Sequence, residues 1–393
     1  MPLHGSLFLW LIFLKLVRNV VNGYVPNLVG MKRLLSRICH SQKTIDPGRL
    51  NKILFIKLFA IGDCLNSTPA LRSLRRGFPE AQIDIMVGAW SEAVFRNNPH
   101  LSNLIVVSDN WFRDPDIPSL LKLMHRLRRE RYDAMLLFHR SPRMGVFFRL
   151  CKPRSLIGLD IDGDGYWLTH PVPESSVAHE IEAYNSLLEP LQVDADGFNM
   201  DIFPTSDESN EAKRLWHTAG FKDEDSIIGL TPGGARNPGE VMPQRIWPYY
   251  GMLAVKLVKM DFKVAYFGGS GDLDTLDELP HGEAFVSFIG KADLAVSGEM
   301  MKRCRLVVTH DSGPMHLAAA VGARTLSIFA PTDPRRKAPL GNGHRFLAAR
   351  KECAPCYYRG HWPEHCNREC IDTITPDQVI KAIHEMLLTP IQR

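Results

Sequence analysis

RLVVTHDSGPMHLAAAVGARTLSIF, residues 305–329, passes from an apolar run through turn-forming residues and an alanine-rich stretch to a second apolar run. This is the sequence of a strand, a helix N-terminus, a helix and another strand. LVV reads as a buried strand, Pro314 suits the first position of a helix, and Asp311 or Ser312 can cap it. A helix N-terminus offers unpaired backbone N–H groups and a partial positive charge, so it suits an anion such as a diphosphate. Gly313 allows close approach to the backbone. A capped helix without a ligand accounts for Asp, Ser and Pro, but gives no reason for His316 in the first turn.

The same rhythm runs outward in both directions. KILFIKL (52–58), IDIMVG (83–88), LIVVS (104–108) and AMLLF (134–138) read as short strands, and TPALRSLRRGF (68–78) as a helix stopped by Gly77 and Pro79. The pattern restarts after about residue 205. EAKRLWHTAGF (211–221) and YYGMLAVKLVKMDF (249–262) are helical, SIIGLTPGG (226–234) and KVAYFGGSGD (263–272) are strands ending in glycine turns, and LSIFAPTDP (326–334) closes the series. Alternation of this kind predicts parallel sheets covered by helices, in two α/β halves with a cleft between them. The polar stretch IFPTSDES is the expected linker, which divides the chain into 49–205 and 206–393.

Three strand ends in the second half could hold a nucleotide. Besides Asp311, Ser312, Gly313 and His316, Thr231, Gly233 and Gly234 form a turn after a strand, and Arg245 precedes a Trp-Pro pair, where a guanidinium could hold phosphate oxygens. Gly268 and Gly269 would admit a ribose whose hydroxyls Asp272 could bind. In the first half Gly62-Asp63 follows a strand and precedes a helix. Asp63 is a candidate general base there, with an N-cap as the plainer alternative. A P-loop and a dinucleotide fingerprint are both missing from the sequence.

Composition limits the partners. The formal net charge of +4 is unevenly placed, because residues 1–52 carry eight Lys and Arg against Asp46 alone, leaving the body slightly acidic. A nucleic-acid-binding body is therefore not expected. The arm 1–48 contains LFLWLIFLKLV (7–17), too short for a span and followed by basic residues, which suits an anchor at a membrane interface or a helix packed on the body. DIDGDG (160–165) begins like a calcium loop, but Pro171 stands where the closing Glu should be. Cys353, Cys356, Cys366 and Cys370 could hold a structural zinc, with His361 and His365 between them; free thiols or disulfides are the alternatives.

Taken in order, IKLFAIGDCLNSTPALRSL, TPGG, the basic residue before WP, GG followed by Asp, and DSGPMHLAAAVG with FAPTDP resemble glycosyltransferase family 9, the lipopolysaccharide heptosyltransferases. The resemblance covers roughly residues 50–385. It implies a GT-B fold of two facing Rossmann-like domains, with an acceptor domain first and a nucleotide-sugar domain second. It implies an inverting transfer of heptose or a related sugar, from a donor such as ADP-heptose to a lipid-linked glycan, at the cytoplasmic face of the inner membrane. A catalytic metal is not expected. The family's catalytic aspartate falls on Asp63, and its phosphate-binding basic residue, a lysine in well-known members, falls on Arg245. Its nucleotide-site Asp, Ser, Gly and His fall on Asp311, Ser312, Gly313 and His316. A member with another sugar or acceptor, and a non-catalytic sugar-nucleotide binder, are the rival readings.

Overall fold

The computed structural model describes residues 44–111, 116–161, 163, 165–174, 179–222, 224–237, 239–357, 366–367 and 369–389. In the first half, β1 (Lys52–Ile56), β2 (Gln82–Gly88), β3 (Asn103–Val107), β4 (Ala134–Leu137), β5 (Ser155–Asp160) and β6 (His170–Pro173) form one parallel sheet in the order β3-β2-β1-β4-β5-β6. Among the described residues its helices are α1 (Ile61–Gly77), α2 (Ile117–Glu130), α3 (Pro142–Leu150) and α4 (Glu180–Asn185).

The second half repeats the plan. β7 (Ile227–Leu230) is followed by a small antiparallel hairpin, β8 (Arg236–Asn237) and β9 (Glu240–Val241). β10 (Lys263–Tyr266), β11 (Phe285–Ser287), β12 (Leu306–His310), β13 (Thr325–Phe329) and β14 (His344–Ala348) complete a parallel sheet in the order β11-β10-β7-β12-β13-β14. Its helices are α5 (Ser206–Thr218), α6 (Tyr250–Val258), α7 (Leu294–Met301), α8 (Gly313–Ala320), α9 (Pro334–Lys337), α10 (Glu369–Asp372) and α11 (Pro376–Leu388). The central strands are near-continuous apolar runs because helices cover both faces. In each sheet the strand order reverses at the centre, between β1 and β4 and between β7 and β12. Ligand crevices open at the carboxyl ends of strands at such switch points.

α1 begins earlier than its apolar spacing predicts. It starts at Ile61, so Gly62 and Asp63 lie in its first turn and Ala60 takes the N-cap position, without a side-chain cap. Asp63 is therefore not the N-cap. The helix also passes through Pro69, which has no N–H for the carbonyl of Leu65. The Thr68 hydroxyl donates to that carbonyl instead, at 2.8 Å. Between β5 and β6, where the sequence begins like a calcium loop, Asp160 accepts from the Gly165 N–H at 2.8 Å.

Each half has buried apolar side chains of its own, but one further cluster belongs to both. It runs from Ile45 and Leu50 through Leu65 and Leu74 of α1 to Leu317 and Ala318 of α8. The first turns of α1 and α8 meet at small residues. A Cβ on Gly62 would lie 2.5 Å from the His316 ring, and one on Gly313 would lie 3.5 Å from Ile61. Among the described residues no helix is long and apolar enough to cross a membrane. The expected interfacial run, residues 7–17, lies outside the described residues.

Candidate active site

The sheets face each other across a cleft of about 950 Å³, lined by both halves. From the first half come the first turn of α1 with Asp63, and Lys57, Arg140 and Glu180. From the second come Gly234, Arg245, Gly268, Gly269, Asp311, Ser312, Gly313 and His316, together with Arg336 and Lys337. The two expected sites thus open into one space. Thr231 and Gly233 do not line it: Thr231 is fully buried beyond the end of β7.

Asp63 stands where the halves meet. Its side chain is 30 % exposed toward the cleft. One oxygen accepts from Lys337 Nζ at 2.8 Å, and the other lies 3.6 Å from Lys57 Nζ. Burial alone would raise its pKa, but Lys337 and then Lys57 outweigh burial and hold the carboxyl well below the usual range. Lys57 is itself buried, donating to the Phe138 carbonyl and to the Tyr184 hydroxyl at 2.9 Å. Burial lowers its pKa, with Asp63 acting in the opposite direction. Lys337 continues into a second acid, Glu180, at 3.6 Å. Burial opposes its charge as well, yet Asp63 and Glu180 raise it to about 12. Arg140 pairs with Glu174 and Glu180, and Arg336 with Glu174 at 2.9 Å. The cleft floor is therefore an ion network built from both halves.

On the opposite wall, α8 starts as its sequence suggests, at Gly313 with Pro314 in the first turn. The capping differs from expectation. Ser312 occupies the N-cap position, but its hydroxyl donates back to the His310 carbonyl at 3.1 Å and makes no cap bond. Asp311 faces Arg245 instead, Oδ2 to Nη1 at 3.3 Å, both largely buried. Burial pushes the Asp311 pKa up, and Arg245 pulls it down further, so the net shift is downward. With neither side chain capping, and with Pro314 lacking an N–H and the Met315 N–H donating to the Ser312 carbonyl at 3.2 Å, the Gly313 N–H is the first-turn donor left for another acceptor. His316 is buried and its pKa falls to about 4, chiefly by desolvation, so it is neutral at pH 7. Its Nδ1 has no hydrogen-bond partner among the described residues.

Asp272 takes a role its sequence did not suggest. Its two oxygens accept from the Gly234 N–H at 2.8 Å and the Gly269 N–H at 2.9 Å, and Arg236 Nε adds a third contact at 3.1 Å. It ties the two glycine turns together. The fit also explains Gly233, where a Cβ would lie 2.4 Å from the Asp272 carboxyl carbon, and Gly234 adopts φ +86°.

Several lining groups were not singled out from the sequence. Lys57 stands six residues before Asp63. Arg336 and Lys337 belong to the basic triplet that directly follows FAPTDP, and that triplet after a strand was the one readable signal. Tyr357 was unreadable: its N–H donates to the Pro331 carbonyl at 2.7 Å, and the Arg245 guanidinium lies 4.6 Å from the centre of its ring. The cysteine segment therefore reaches the cleft. Cys353, Cys356, Cys366 and Cys370 are unpaired in disulfides. Among the described residues no three His, Cys, Asp or Glu side chains are arranged to hold a metal, so this geometry gives no support to the expected zinc. His361 and His365 lie outside the described residues.

The sequence profile of "Glycosyltransferase family 9 (heptosyltransferase)" matches residues 120–365. Lipopolysaccharide heptosyltransferase 2 of Salmonella typhimurium is 25 % identical over 363 residues, which is 86 % of this chain and 98 % of that protein. Among solved structures, the ADP-heptose lipopolysaccharide heptosyltransferase II of Escherichia coli superposes with a TM-score of 0.66 at 22 % identity, covering 86 % of this chain and 98 % of that one. The iron-containing dodecameric glycosyltransferase TibC of Escherichia coli superposes at 0.52 with 14 % identity, covering 86 % and 76 %.

Proposed function

The chain belongs to glycosyltransferase family 9 and is a glycosyltransferase, and from that premise we propose that it transfers heptose, or a closely related sugar, with inversion and without a catalytic metal. The donor is a nucleotide sugar, ADP-heptose in the first instance, held by the C-terminal half, residues 206–393. The acceptor is a lipid-linked glycan of the lipopolysaccharide core, received by residues 49–205. The basic arm holds the enzyme at the inner face of the cytoplasmic membrane. The names of its relatives support the sugar and the acceptor class.

One observation carries the reading. A carboxylate from one half and an uncapped helix N-terminus with an arginine from the other open into the same cleft. Asp63 takes the proton of an acceptor hydroxyl, whose oxygen bonds to the anomeric carbon. The bond from that carbon to the diphosphate oxygen breaks, and its electron pair leaves with the nucleoside diphosphate. Attack from the side opposite the diphosphate inverts the centre. Arg245, the Gly313 N–H and the positive end of the α8 dipole stabilise the charge that grows on the diphosphate.

Asp63→Asn tests the assignment, because it keeps the shape and removes the base. Transfer should fall by about 10²–10⁴ or more while ADP affinity stays near that of the wild type. Unchanged turnover would remove Asp63 as the base. A thermal-shift panel of nucleotide sugars identifies the donor: the true one should raise the midpoint most, and a larger shift from another sugar nucleotide would displace ADP-heptose.

A further inference from the structure

Both oxygens of Asp63 are engaged by lysines, and an acceptor hydroxyl needs one of them. The lysines are not equivalent. Lys57 is 3 % exposed and is fixed by the Phe138 carbonyl and the Tyr184 hydroxyl. Lys337 is 25 % exposed, stands on the four-residue α9 and comes from the other half of the chain. Among the described residues its ammonium pairs with carboxylates alone, Asp63 at 2.8 Å and Glu180 at 3.6 Å. It lines the same cleft as Arg245 and the start of α8.

We propose that Lys337 is a positioning residue that divides its ammonium between Asp63 and the donor diphosphate, so that donor binding frees the base. The inference rests on the donor and base roles given above. A diphosphate at α8 brings at least two negative charges into a space that Lys337 already lines. Those charges compete with a single carboxylate for the ammonium. When Lys337 turns to the diphosphate, one oxygen of Asp63 is open to the acceptor hydroxyl. The same step raises the proton affinity of the carboxylate, which makes it a stronger base. It also orders the reaction, because Asp63 cannot serve the acceptor until the donor is seated.

Other groups facing Asp63 stay in place. They are Lys57 just after β1, Cys64 on α1, His139 and Arg140 after β4, Glu180 and Tyr184 on α4, and His316 on α8. His139 and His316 are neutral through burial, and Glu180, when Lys337 turns away, keeps Arg140 and Arg336 as partners. The change is thus confined to one ammonium.

The test is a carbon-13 titration of full-length protein labelled at aspartate carboxyls, with Asp63 assigned by its loss in Asp63→Asn. Wild type, Lys337→Met and Lys337→Arg are titrated with and without saturating ADP, and ADP affinity is measured separately by calorimetry. In the wild type ADP should raise the Asp63 midpoint by about one pH unit or more, a tenfold gain in proton affinity. In Lys337→Met the midpoint should start higher and move little, and Lys337→Arg should retain part of the response. ADP binding with an unmoved wild-type midpoint, or with equal movement in Lys337→Met, overturns the proposal and leaves the donor site standing. Failure of ADP to bind removes both. Thermal melts of the variants identify any loss of fold, and Lys337→Arg decides the matter if Lys337→Met unfolds.

Discussion

Arg245 illustrates how one side chain can answer to several neighbours at once. It faces the Asp311 carboxylate, lies over the Tyr357 ring and lines the cleft at the start of α8. The aromatic face and the acid together hold a planar cation against the place where phosphate charge is expected. Arg245→Ala should weaken ADP about tenfold to a hundredfold, the value of one charge-assisted contact. Isothermal calorimetry measures it, and unchanged affinity would contradict the phosphate role. The identity of this residue was readable, because a basic residue before Trp247-Pro248 matches a motif. Its partners were not. Asp311 was expected to cap a helix, and Tyr357 is more than a hundred positions away, placed by a hydrogen bond to Pro331. Lys337 was hidden for the same reason, since 274 positions separate it from Asp63 and only the facing of two sheets joins them.

Among elements, the crossing of α1 and α8 is a tightly constrained contact in the cleft. Gly62 is needed there because the buried His316 ring occupies the space a side chain would take. Gly62→Ala should destabilise the protein by about 1–3 kcal/mol, the usual cost of overpacking, and should reduce transfer by pushing His316 out of place. Gly343→Ala is the control, because nothing lies within 4 Å of a Cβ at that position. Denaturant unfolding of the two variants checks the difference, and equal midpoints would mean that the helices part easily. The elements themselves were legible from apolar spacing, and every strand proposed from it lies in one of the two sheets. Helix starts were less legible. The spacing that marks α1 begins at Thr68, whereas the first turn, IGDC, carries glycine and aspartate for the cleft and so lacks an amphipathic pattern. Function displaced the local signal there.

Over the whole molecule, acid should weaken the fold before its carboxylates titrate. His310, His316 and His344 are each brought by burial from an ordinary value of 6.5 to about 4. Below pH 6.5 the unfolded chain gains protons that the folded chain refuses, so stability is complete above that pH and is lost as the pH falls toward 4. Each histidine contributes a slope of up to about 1.4 kcal/mol per pH unit in that window. Urea unfolding at a series of pH values should show the decline, and His344→Gln should flatten it; parallel curves would show that His344 is protonated equally in both states. The shared apolar cluster across α1 and α8 has a further consequence. Although the two sheets look like separable domains, neither half can melt without stripping the other of part of its interior. Heating should therefore give one cooperative calorimetric peak, and a fragment ending at residue 205 should expose the flank of α1 and aggregate.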